Sequence, residues 1–389
     1  MVKDNVALER EIIMLRAVAV LLCCTLLTVL PAAPLSTVSS QAPPANADWP
    51  LFRGDALQSG VAKGTLPDTL EIRWKIDLKK GVESTAAIVK DTVYVGCFDE
   101  YLHAFDLATG KERWKTKLSA ISAPPSVYRG NVFVGDEDGM FHCVDAATGK
   151  KIWSFETGGQ ITGGANFAGD RVIFGAHDST LYCLSIKNKD VLWTVKIEGP
   201  VNGSAVVANG QTFVAGCDSN LHIIDVKAGK TLAKIELTGQ AAATAAVFGD
   251  KVYVGNMNNE MQEIDLKKKD VLWSYAPKRA QPFYSSAAVT DKLVVVGNRD
   301  RHVHAIDRVK GGKVWAFQAD GRVDCSPVIV GPRVYFGSAN GTFYAVDLAS
   351  GKETQSLTLG QGIMASPAVA QGCLVIGTTD GLLYCLGKK

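Results

Sequence analysis

The stretch AFDLATGKERW, Ala104 to Trp114, carries no obvious catalytic group, yet the chain returns to it repeatedly. CVDAATGKKIW closes at Trp153, AIDRVKGGKVW at Trp315 and AVDLASGKETQ at Gln355. Trp74, Trp114, Trp153, Trp193, Trp273 and Trp315 are 40, 39, 40, 80 and 42 residues apart, with Ala233 and Gln355 where two more would fall. A second column runs Gly96, Gly135, Gly175, Ala215, Gly255, Gly297, Gly337 and Gly377. A third runs Asp99, Asp138, Asp178, Asp218, Asn258, Asp300, Asn340 and Asp380. One period in three columns is a structural repeat with eight registers.

Each unit reads as four short strands. In the first these are STAAIVK, TVYVGC, YLHAFDL and KERWKTKL, with apolar alternation, β-branched and aromatic residues, and no helical spacing. Asp138-Gly139, Asn340-Gly341 and Asp380-Gly381 suit tight hairpins between the second and third strands. In Asp106-Leu-Ala-Thr-Gly110 the carboxylate can accept turn N–H groups while glycine supplies a left-handed residue. Four antiparallel strands per roughly forty residues make a β-propeller blade, in which each sheet covers its neighbour. The tryptophans of the fourth strand are then structural docking residues wedged between blades, and the aligned glycines permit close approach.

The eighth unit has only three strands, ASPAVAQ, CLVIG and LLYCL, before the chain stops. EIRWKIDL, residues 71–78, precedes the first inner strand and is free to supply the fourth. The fold expected is therefore all-β: an eight-bladed β-propeller of four-stranded antiparallel blades, residues 70–389, the last blade closed by an N-terminal strand. Such closure leaves no open edge at the seam.

Residues 1–47 read as a signal peptide. AVAVLLCCTLLTVL (17–30) is a 14-residue apolar run, short for a membrane span and apt for the core of an export signal. The acidic start MVKDNVALEREII fits poorly, so Met14 is the better start, and Ala45-Asn46-Ala47 has the form of a cleavage site. An uncleaved anchor is the alternative. Residues 48–69 form an extended lead-in. The expected location is exported: periplasmic, outer-membrane-associated or secreted, with no membrane span once the signal is cleaved.

Of 389 residues, 47% are hydrophobic and the formal charge is +2. No long basic run occurs, so nucleic acid is not an expected partner. Beyond Cys23 and Cys24 seven widely spaced cysteines remain, without CxxC, which argues against a zinc site or a dense disulfide framework. Cys143, Cys183 and Cys385 share the slot of Ala104, Ala305 and Ala345 and read as small buried hydrophobes. His103, His142, His222 and His304 also share one slot. His302 and His304 lie on one strand face as a candidate transition-metal clip, but two imidazoles alone are a poor ligand set. No GxSxG, Walker loop or HExxH is present.

The residues Ala104, Asp106, Thr109, Gly110, Lys111 and Trp114 give A-x-D-x-x-T-G-K-x-x-W, which resembles the tryptophan-docking motif of pyrroloquinoline-quinone-type propeller repeats. The pattern is degraded at Ser185, Ala233, Gln355 and Gly387, and the resemblance covers about residues 70–389. Trp49-Pro-Leu-Phe-Arg-Gly54 is similar to the opening of secreted bacterial members. WD-type propellers are the rival, but no GH…WD pairing occurs. The resemblance implies one of two functions: quinoprotein dehydrogenase, or scaffold of the BamB type in outer-membrane assembly.

The dehydrogenase reading implies a vicinal cysteine pair, acidic and asparagine ligands to Ca2+, a catalytic aspartate and long pocket-forming insertions. Here the only adjacent cysteines are Cys23-Cys24 and the blades are near minimal length. The expectation is thus a non-enzymatic binding scaffold of the cell envelope with a protein or peptide partner and no cofactor. A quinone- or metal-dependent oxidoreductase, holding pyrroloquinoline quinone and Ca2+, is the alternative. Neither Cys23 nor Cys24 follows a small residue as a lipid-anchor motif requires.

Function in such a fold sits on loops and along the channel. The residues entering the inner strands form a ring in register: Glu83, Ser122, Thr162, Asn202, Ala242, Tyr284, Asp324 and Met364. Glu83, Asn202, Tyr284 and Asp324 are its candidate ligand-binding members at one channel mouth. Glu83 and Asp324 flank Met364 across the closure, where two carboxylates can hold a cation or polar ligand.

Overall fold

A computed structural model describes residues 47–389; the expected signal peptide lies outside the described residues. Eight sheets each contain four antiparallel strands. Blades one to seven run continuously through residues 87–117, 126–156, 166–196, 206–236, 246–275, 288–318 and 328–358. Blade eight takes Ala368–Ala370, Cys373–Gly377 and Leu382–Gly387 from the C-terminus and Glu71–Asp77 from the N-terminus. The donated strand pairs antiparallel with the last one, Glu71 opposite Gly387 and Asp77 opposite Leu382. The eight-bladed ring with a shared final blade is as the repeat arithmetic requires. Among the described residues no helix is long and apolar enough to cross a membrane.

The recurring eleven residues join one blade to the next. Each of the six repeat tryptophans donates its indole N–H to a carbonyl at the corner of the following blade: Trp74 to Leu107 at 2.8 Å, Trp193 to Val226 at 2.9 Å and Trp315 to Leu348 at 2.9 Å. The ring lies against the left-handed corner glycine, where a Cβ on Gly110 would meet Trp74 at 2.9 Å. Any side chain at Gly110 would push the indole off the carbonyl it holds. Trp74, Trp193 and Trp315 are buried, whereas Trp114, Trp153 and Trp273 are half-buried.

Blade seven has Gln355 in place of tryptophan because the next corner is missing: blade eight receives its outer strand from elsewhere. The Gln355 carboxamide instead pairs with the backbone of Leu70, accepting from its N–H at 2.9 Å and donating to its carbonyl at 2.8 Å. A wedge has become a clamp on the donated strand.

The sequence leaves the path of residues 48–69 undetermined. Residues 49–62 run from inner strand to inner strand and plug the channel, and Asp68 then contacts Arg333 of blade seven. Trp49 exchanges two backbone hydrogen bonds with Ile88 of blade one, at 2.7 and 2.8 Å. The carbonyls of Pro50, Ala56, Leu57, Ser59 and Gly60 then accept the N–H groups of Val127, Val207, Val247, Val289 and Ile329. The Asn166 side chain also donates to Ala56, so seven of eight inner strands are capped. Val61–Ala62 pairs in parallel with blade seven. Inner strands of a ring too wide to close on itself present unpaired donors, and the plug satisfies them. Arg53 is fully buried within it and donates to the carbonyls of Ser326 and Pro327 at 3.1 and 2.5 Å. Burial pulls its guanidinium down to about 10.

Candidate functional site

The structure places the four candidate mouth residues around one opening. Glu83, Asn202, Tyr284 and Asp324 all line a cavity of about 180 Å3, with Phe52 of the plug on its wall. Two residues further along each inner strand lies a belt of hydroxyls. Gly164 N–H donates to Ser204 Oγ, Ser204 to Thr244, Thr244 to Ser286, Ser286 to Ser326, Ser326 to Ser366, and Ser366 to Thr85, at 2.8–3.0 Å. The belt breaks at Pro124, which has no hydroxyl to accept the next bond. It binds neighbouring blades to one another below the mouth and holds the mouth residues at a set radius.

The mouth itself is polarised. On one side Asp324, almost fully buried, receives Arg299 through both oxygens at 2.8 and 3.0 Å and Arg322 at 3.2 Å. The Arg299 guanidinium also lies 3.6 Å above the Tyr284 ring, where its charge meets the negative π face. On the other side burial and the nearby Glu137 push the Glu83 carboxyl up. Glu137 accepts from the Ser122 hydroxyl. His177 Nε2 lies 3.1 Å from the Thr162 hydroxyl, and burial pushes this imidazole down. Asn202 Nδ2 rests 3.1 Å from the Cys217 sulfur. Glu83 and Asp324 line the same cavity, but Asp324 is committed to two arginines.

Glu137, His177, Cys217 and Arg299 are missing from the sequence-derived ring. They form a second ring in the column immediately before the aligned Asp138, Asp178, Asp218 and Asp300. That column varies from blade to blade, unlike the structural ones beside it, and its variability is the signal that marks a loop facing the mouth.

The rim shows a second pattern. Every outer strand carries a β-bulge one residue before the tryptophan slot. In blades eight, one and seven the bulged residue is polar and occupied: Arg73 donates to the Cys373 sulfur, Arg113 pairs with Asp91 and Asp106, and Thr354 Oγ1 donates to the Ala345 carbonyl. In blades two to six it is aliphatic and turned to solvent. Ile152, Leu192, Leu232, Leu272 and Val314 are 41–50% exposed.

Eight blades, docking tryptophans at the corners and a mouth without a long insertion define a tryptophan-docked β-propeller of minimal build. The chain belongs to the family described as outer membrane protein assembly factor BamB, which it matches over residues 59–159, 140–232 and 217–384. Among solved structures, BamB from Moraxella catarrhalis superposes with a TM-score of 0.72 at 16% identity, over 82% of this chain and 100% of that one. Quinohemoprotein alcohol dehydrogenase from Comamonas testosteroni superposes with a TM-score of 0.76 at 14% identity, over 89% of this chain and 82% of that one. At such identities both show the fold alone. The β-alanine-activating enzyme of Danio rerio is 25% identical over 117 residues, 28% of this chain, which spans 10% of that curated relative's length.

Proposed function

We propose that this chain is an exported, non-enzymatic scaffold of the cell envelope that binds another protein through the rim of blades two to six. The observation that carries the reading is the row of five aliphatic residues at one bulge position in consecutive blades. Singly exposed aliphatics are ordinary, but a repeated one is not, since the other three blades fill the same slot with a hydrogen-bonded polar group. The outer strands there are also open edges able to accept an extended partner segment. Family membership supports an envelope role, because members are described as factors in outer-membrane protein assembly.

The mouth gives little support to a quinone dehydrogenase. Its adjoining cavities of about 180 and 240 Å3 are lined by Glu83, Ser122, Thr162, Tyr284, Asp324 and Met364, with no vicinal cysteine pair among them. Asp324 is neutralised by arginines, and Asn202 faces a thiol rather than a cation-binding carboxylate.

Photo-crosslinking tests the scaffold reading. A photoreactive residue at position 192 or 232 should yield an adduct with one protein in intact cells, and the same probe at Thr354 should not. Leu192→Asp should weaken the adduct formed at 232. Equal labelling at 354, or no adduct at either rim position, would overturn it.

A further inference from the structure

We propose that Asp300, His302 and His304 of blade six form a binding site for a divalent transition-metal ion of the zinc type, on the same face as the channel mouth. Each of the three offers one ligand atom, and these atoms all lie within 4.8 Å of one another; the closest approaches are of His302 Nδ1 and His304 Nε2 to the Asp300 carboxylate. Both imidazole nitrogens are 3.3 Å from Oδ1. Four ligands at about 2.0 Å around a tetrahedral ion stand about 3.3 Å apart, so two edges of the polyhedron are already built. Two nitrogens and one carboxylate oxygen select late first-row ions over Ca2+ or Mg2+.

The other blades supply the comparison. Asp99 and His103 are 2.9 Å apart in blade one, and Asp218 and His222 are 2.7 Å apart in blade four. The aspartate–histidine pair is therefore a structural tie within a blade. Only in blade six does the intervening strand position hold a third ligand, His302, where blade one has Tyr101 and blade four Asn220. His304 is further prepared for a metal, because its Nδ1 lies 3.1 Å from the Tyr275 hydroxyl. Donation from Nδ1–H to that oxygen leaves Nε2 as the free lone pair. Asp300 and His304 are buried, whereas His302 is partly exposed, so the ion would enter from solvent on the His302 side and keep an open position there. The neighbouring Arg299 is drawn away to Asp324 and does not occupy the site.

The hairpin that carries Asp300 also carries Arg299, so an ion there would pin one side of the mouth. The test uses the full chain, purified without a polyhistidine tag and stripped with chelator. Calorimetric titration with Zn2+ should show one ion per chain. His302→Tyr installs the residue of blade one, so the metal-free variant should unfold at the wild-type temperature while its Zn2+ affinity falls on the order of 100-fold. Substituted Co2+ should give a spectrum without a thiolate charge-transfer band. No binding by the wild type, equal binding by His302→Tyr, or a thiolate band would each overturn the proposal.

Discussion

Gly175, on the second strand of blade three, faces Val201 so closely that an added Cβ would sit 2.6 Å from the valine Cβ. Gly175→Ala should therefore cost about 1–3 kcal/mol in chemical denaturation, the usual price of overpacking. Val201→Ala should recover part of that loss, making the pair strongly non-additive. Blade four already contains the compensated version, with Ala215 in the glycine column and Ala241 in the facing position of the same cluster. The exception in the glycine column thus has a partner exception one column away. Trp193, 8% exposed, should cost about 3–5 kcal/mol when replaced by alanine. Trp114→Ala should cost less, because that ring is only half-buried. The histidine column follows the same local logic, with one shift. His142 pairs with Asp136 at 2.9 Å rather than with Asp138. Cys143 and Cys183 are buried, and their thiols are pushed up to about 12, as expected of small apolar fillers.

At the scale of elements, the corner turn makes a measurable contribution to acid stability. Asp106 Oδ1 accepts the N–H and hydroxyl of Thr109, both at 2.8 Å, and Oδ2 accepts from Arg113 at 2.7 Å. These bonds hold its carboxyl down to about 2. A carboxyl depressed on folding stabilises the fold above its unfolded value and loses that contribution as pH falls through the folded one. Asp106→Asn should flatten the fall in stability between about pH 4 and pH 2, read by urea denaturation at stepped pH. The blade strands were legible because period-two alternation and turn residues recur eight times, and the closing strand because one strand was in deficit. The plug was not legible. Its segment has no repeat, and most of its bonds are accepted by backbone carbonyls, which leave no imprint on side-chain pattern. Arg53→Ala tests it: two carbonyls lose their donors, and a loss of about 2–4 kcal/mol should follow in denaturation.

Across the whole molecule the mouth residues were legible only in part. The ring of Glu83, Asn202, Tyr284 and Asp324 follows from register alone, because equivalent positions in a closed ring must face one another. Which of them remain unpaired does not follow, since Arg299 reaches Asp324 from a different loop across 25 residues of sequence. Arg299→Ala should leave that buried carboxylate with Arg322 alone and lower stability by about 1–3 kcal/mol, less than for a fully buried pair because the guanidinium is partly exposed. The same ring geometry explains why five solvent-facing aliphatics on separate strands form one rim: the repeat sets them at equal height around the circumference.

The seam of the last blade also governs when the protein can exist at all. Glu71 must wait for Gly387, so everything between these two residues has to emerge before the hoop can shut. Until then every nascent intermediate is an open arc with bare ends, exposed to proteases and to misplaced strands. Loss of the strand Leu382–Gly387 should be felt at both sides of the seam at once, freeing Trp74 and slackening the collar that the neighbouring segment makes around the axis.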